Sequence, residues 1–64
     1  MNCEICLEPF DITSHEPYKL SLCSHSLCVG CLLKNILADN KCPQCGTLIN
    51  GEFYSIYVEN ELVN

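Results

Sequence analysis

Apolar and polar positions along the chain predict one central helix with short strands on either side of it. From Val29 to Asp39, the residues Val29, Leu32, Leu33, Ile36 and Leu37 fall at i, i+3, i+4, i+7 and i+8. That spacing is one face of an amphipathic helix, and the expectation for most of the five is core packing. Asn40 supplies a helix stop, and Pro43 shows that the chain has left the helix by then. Upstream, Tyr18-Lys19-Leu20-Ser21-Leu22 alternates apolar and polar, the pattern of a strand. A return strand through Ser26-Leu27 would complete a hairpin. Residues 7–17 hold Pro9, Pro17 and several small polar groups, and read as an ordered loop. After Gly46-Thr47-Leu48-Ile49 comes a turn signal, Asn50-Gly51. Phe53 to Val58 is rich in aromatic and β-branched residues and predicts a third strand, packed either on this chain's core or on a second copy.

These elements are too few to hold themselves together. A chain of 64 residues buries only about 60% of its unfolded surface, which leaves the core marginal. Cysteine usage supplies what the core lacks. The seven cysteines and one histidine form four short-spaced pairs: Cys3-x-x-Cys6, Cys23-x-His25, Cys28-x-x-Cys31 and Cys42-x-x-Cys45. No cysteine is left over. Four pairs are what two tetrahedral zinc sites require. A disulfide framework fits poorly, because seven is odd and two intervening residues suit a metal better than a bridge. Each structural zinc contributes roughly 10–16 kcal/mol when its site exists only in the folded chain.

The predicted helix constrains which pairs share an ion. About ten residues at 1.5 Å each span roughly 15 Å. Cys28 and Cys31 lie at one end, and Cys42 and Cys45 just beyond the other. Those two pairs therefore serve different ions. Two schemes remain open: first with third and second with fourth, or second with third and first with fourth. Cys28 and Cys31 also sit at the helix start, where the positive dipole end favours thiolate.

Charge narrows the partners. The formal net charge is -5; seven thiolates and two divalent ions would take it to -8. The basic residues are Lys19, Lys34 and Lys41, with no arginine. A nucleic-acid binder needs a basic stripe, so no nucleic acid is expected as partner. The same balance disfavours acidic membrane headgroups, and no apolar stretch approaches membrane-spanning length. With Cys3 so close to Met1, no signal or transit segment is expected ahead of the fold. Metal-spaced thiolates point to a reducing, intracellular setting, cytoplasm or nucleus.

The ligand order, three cysteines, a histidine, then four cysteines, resembles a RING finger from Cys3 to Cys45 and on to Ile49. A PHD finger would place its histidine fifth rather than fourth, and a FYVE domain would carry a basic segment absent here. The resemblance implies a small α+β zinc-bound domain in a cross-brace, with a short β-hairpin, one central helix and a candidate third strand. It implies that Cys3, Cys6, Cys28 and Cys31 hold one zinc and Cys23, His25, Cys42 and Cys45 the other. His25 would be neutral, with its second nitrogen held by a nearby acceptor. On this reading residues 1–49 form the RING finger and residues 50–64 a C-terminal extension. His15, outside any ligand spacing, reads as a solvated loop residue.

RING domains bind a ubiquitin-conjugating enzyme and promote transfer of ubiquitin to a substrate lysine, without a catalytic nucleophile of their own. Their contribution is orientation of the charged enzyme. Carried over residue by residue, Ile5 matches the usual apolar contact and Pro43 the usual proline. Acidic Glu4 and Glu8 flank Ile5 and suit a basic rim. Two positions depart from the family pattern. The helix position often held by tryptophan is Asn35, with Ile36 beside it as a partial substitute. The position after the eighth ligand, often a cation bridging enzyme and ubiquitin, is Gly46. The expected function is a ubiquitin ligase RING domain; the alternative is a non-catalytic RING serving interaction or dimerisation. Family members choose substrates through other domains, so a longer parent protein is expected, with a free-standing small protein as the alternative.

Overall fold

Among the described residues, three strands and one helix surround a core in which metal-ligating and apolar side chains are mixed. The computed structural model describes residues 2–57. Strand β1 is Pro17–Leu20, β2 is Ser26–Cys28, helix α1 is Val29–Ala38, and β3 is Phe53–Ser55. All pairing is antiparallel, and β1 lies between its neighbours in the order β2-β1-β3.

The β1–β2 hairpin pairs Tyr18 with Leu27 and Lys19 with Ser26. Its connection is closed by Ser24 N–H to the Leu20 carbonyl at 2.8 Å and Leu20 N–H to the His25 carbonyl at 2.9 Å. Ser24 takes φ 62 to make that reversal. The turn therefore carries Cys23 and His25, as the alternating pattern implied. On the other edge of β1, Leu20 faces Phe53 and Tyr18 faces Ser55. The Phe53 and Tyr18 rings meet edge-on with centroids 5.9 Å apart. The chain returns to that edge through a tight turn in which Asn50 and Gly51 both have positive φ, 52° and 73°. Asn-Gly is the pair that tolerates this geometry best. The third strand thus docks on its own chain. The expected strand ran to Val58, which lies outside the described residues.

Helix α1 follows β2 without a loop, and Asn40 ends it. Asn40 adopts φ 59 and its N–H reaches back 2.7 Å to the Asn35 carbonyl, a left-handed cap. Most of the five stripe residues turn inward, as expected, and two do not. Leu32 is buried and Ile36 and Val29 are partly buried, but Leu33 and Leu37 are 53% and 84% exposed. Leu32 and Ile36 lie one above the other and face the sheet; Leu33 and Leu37 sit about 100° round the axis, beyond the reach of so small a core.

The core consists of Leu20, Leu27, Leu32 and Ile49 together with Cys3, Cys28, Cys31 and Cys42. Half of its members are sulfur ligands, so the interior and the metal sites are one structure. No described helix is long and apolar enough to cross a membrane.

Candidate metal centres and docking groove

Two loops built alike form half of each site. In the first, Leu7 N–H bonds the Cys3 carbonyl at 2.8 Å, Cys3 N–H bonds the Glu8 carbonyl at 2.9 Å, and Asn2 bridges to Pro9. In the second, Gly46 N–H bonds the Cys42 carbonyl at 2.8 Å, Cys42 N–H bonds the Thr47 carbonyl at 2.8 Å, and Lys41 bridges to Leu48. In each loop the residue after the second cysteine has positive φ, Leu7 at 66° and Gly46 at 78°. An amide two residues after the first cysteine points at its sulfur: Ile5 N–H to Cys3 Sγ and Gln44 N–H to Cys42 Sγ, both 3.4 Å. These knuckles follow from the two-residue spacing, which curls the backbone so that both thiols face one point.

The hairpin and helix complete the sites. Cys28 and Cys31, at the β2–α1 junction, join Cys3 and Cys6; Cys23 and His25, from the hairpin turn, join Cys42 and Cys45. Within each group all ligand atoms lie within 4.8 Å of one another. Tetrahedral zinc, with Zn–S of about 2.3 Å and Zn–N of about 2.0 Å, sets sulfurs about 3.8 Å apart and a sulfur and nitrogen roughly 3.5 Å apart. The observed separations match: Cys3 to Cys31 Sγ is 3.8 Å, Cys6 to Cys28 Sγ 3.7 Å, and Cys42 Sγ to His25 Nδ1 3.5 Å. The residues fit two zinc ions, and their interleaved order is a cross-brace. Of the two pairings left open by spacing, first with third and second with fourth is the one adopted.

Because Nδ1 faces Cys42, the other His25 ring nitrogen is Nε2, and among the described residues no acceptor holds it. That corrects the expectation of a protein partner there; His25 instead lines open depressions.

Without metal, the thiols separate in acidity. Burial pushes Cys3 up, but N–H groups of Cys6, Cys28 and Ile5 outweigh it and hold the thiol at about 6. Cys45 is lowered to about 6 by the hydroxyl and N–H of Thr47. Burial pushes Cys23, Cys28 and Cys31 upward. At Cys28 the Cys31 N–H, at the helix start, pulls the other way without offsetting burial. A zinc ion held by these residues would supply the positive charge that keeps the sulfurs ionised.

Ile5 and Pro43 line the same depression between the knuckles, together with Leu27 and Gln44. Ile5 is 37% exposed. The remaining predicted contacts stand apart from that depression. Asn35 is turned back on its own helix, donating from Nδ2 to the Cys31 carbonyl at 2.8 Å. Ile36 packs against the core. Gly46 lies at the exposed end of the second knuckle, and a Cβ there would meet nothing within 4 Å. Sequence reasoning missed two features. Gln44 Nε2 donates to Glu4 Oε1 at 3.0 Å and ties the knuckles together; no local pattern signals a contact between residues so far apart. Thr47 Oγ1 lies 3.2 Å from Cys45 Sγ; a hydroxyl two residues after a ligand was the available signal. In the loop before β1, Asp11 Oδ1 accepts from the N–H groups of Thr13 and His15, both at 2.9 Å, and so orders the segment holding His15.

The family described as the zinc-RING finger domain matches residues 2–47. The Polycomb group RING finger protein 3 homolog mig-32 of Caenorhabditis elegans is 46% identical over 48 residues, covering 66% of this chain and 9% of that protein. The chain therefore spans less than a tenth of that relative's length. No solved structure matches the chain at a significant level.

Proposed function

Since the chain belongs to the zinc-RING finger family, we propose that it is the RING domain of a ubiquitin-protein ligase, binding a ubiquitin-conjugating enzyme and promoting ubiquitin transfer to a substrate lysine. The observation that carries this reading is the shallow depression between the knuckles, which Ile5, Leu27 and Pro43 line together. An exposed isoleucine on a metal loop has little to pack against within its own chain, and a partner is its natural use. The chain contributes position rather than bond chemistry. His25 and Cys28 are near in sequence, yet they belong to different metal groups, so they form no catalytic dyad. Holding the charged enzyme in its reactive arrangement is the remaining route to acceleration.

The test is reconstitution with zinc-loaded protein, activating enzyme, a panel of conjugating enzymes and ubiquitin. Ubiquitin chains form with at least one panel member, and Ile5→Ala lowers the rate by about tenfold or more. Absence of both discharge and binding across the panel would favour the second reading, a non-catalytic interaction or dimerisation module. Two observations lean that way: Asn35 is spent on its own helix, and Gly46 brings no side chain. We assign the RING to residues 1–49 and an extension to residues 50–64, because every ligand precedes the Asn50-Gly51 turn. Similarity to a Polycomb group RING finger protein supports an intracellular setting, cytoplasm or nucleus.

A further inference from the structure

A depression of about 400 Å³ adjoins the Ile5–Pro43 groove and shares His25, Ser26 and Gln44 with it. The two differ in chemistry. The groove takes its character from Ile5, Leu27 and Pro43. The larger depression instead presents the Glu4 carboxylate, the Phe10 ring, the Asn2 amide and the hydroxyl-bearing Ser24 beside the shared Ser26. None of the three lysines lines it. Glu4 is also held in place: Oε1 accepts from Gln44 Nε2 at 3.0 Å, which leaves Oε2 free for another donor.

We infer that this depression is a cation subsite, receiving a lysine ammonium or arginine guanidinium from the protein docked in the adjoining groove. The inference rests on the docking reading above. A carboxylate, an aromatic ring and hydroxyl oxygens are the groups that replace water around a cation: the carboxylate by a charge-assisted bond, the ring through its negative face. An anion would meet Glu4 and a formal chain charge of -5. An apolar side chain would strip water from Glu4 and return no hydrogen bond. The carboxylate spans the two zinc knuckles, so the subsite registers a partner against both at once.

Two measurements test it. Zinc-loaded, ¹⁵N-labelled protein is titrated with N-acetyl-arginine amide, and separately with its neutral citrulline counterpart. The arginine compound shifts the amides of Glu4, Ser24, Ser26 and Gln44 with a Kd on the order of 10 mM; the citrulline compound and the Glu4→Gln variant show no such response. Equal shifts from both compounds, or none, overturn the subsite. Glu4→Gln keeps the acceptor for Gln44 and removes only the charge. Second, conjugating-enzyme binding is measured across salt concentrations. Glu4→Gln weakens it roughly tenfold at low salt and flattens the salt dependence, whereas Ile5→Ala weakens it at every salt. If Glu4→Gln matches the parent throughout while Ile5→Ala loses binding, the subsite is wrong and the docking reading stands. If Ile5→Ala changes nothing, the docking reading is wrong, and the partner-borne cation falls with it whatever the arginine titration shows.

Discussion

Gly46→Arg isolates the cation that this chain lacks. The second knuckle places Gly46 at φ 78, a region costly for residues with a Cβ. A Cβ built there meets nothing within 4 Å, so no clash adds to the backbone term. That term is roughly 1 kcal/mol. The first knuckle shows that the geometry is tolerated, since Leu7 holds φ 66 at the equivalent place with the same carbonyl bond behind it. The variant should therefore fold, with its melting temperature lowered by about 4–8 °C. Against this stands the gain at the reacting complex. Hydrogen bonds from a charged donor contribute about 1.5–3 kcal/mol, or roughly ten- to a hundredfold in rate. The assay is single-turnover discharge of ubiquitin from a conjugating-enzyme thioester to free lysine, with zinc content and enzyme affinity measured alongside. Leu7→Arg, the same change on the other knuckle, should bring no gain. If Gly46→Arg retains zinc and affinity but leaves the discharge rate unchanged, the argument that a missing cation limits this domain is refuted.

Three further outcomes follow from the geometry. Ile49→Ala empties a site that is 1% exposed and should cost about 2–5 kcal/mol, while Leu48→Ala, at a residue 54% exposed, should shift the thermal midpoint far less; comparable shifts would place the core wrongly. Chelation should abolish cooperative unfolding and release two zinc ions per chain, measured by native mass and circular dichroism, because half the core residues are ligands. Asp11 should titrate below its ordinary 3.8, since the His15 and Thr13 N–H groups stabilise its charged form. Its contribution is present above the unfolded value and fades as pH falls through the lowered folded one. Carboxyl ¹³C shifts followed together with the Thr13 and His15 amides would show both losses in step.

What could be read along the chain is what neighbours a few residues apart decide. Two intervening residues bring a pair of thiols to one point, so all four ligand pairs are visible in the spacing. The 3.6-residue period marks α1, alternation marks β1, and Asn50-Gly51 marks the turn into β3. The same signals fall silent once distance in sequence grows. Five apolar helix positions look equivalent in the pattern, yet Leu32 is buried and Leu37 is open, because the inward arc depends on how little sheet there is to cover.

The chain's composition and spacing determined that metal would hold it, how many ions, and which residues would grip them. Only the tertiary structure decided that the first pair joins the third, that β3 pairs with β1 of its own chain, and that Glu4 meets Gln44 across two knuckles. Those contacts connect residues far apart in sequence, and closing such loops is decided by the whole packed and metal-bound arrangement rather than by any local preference.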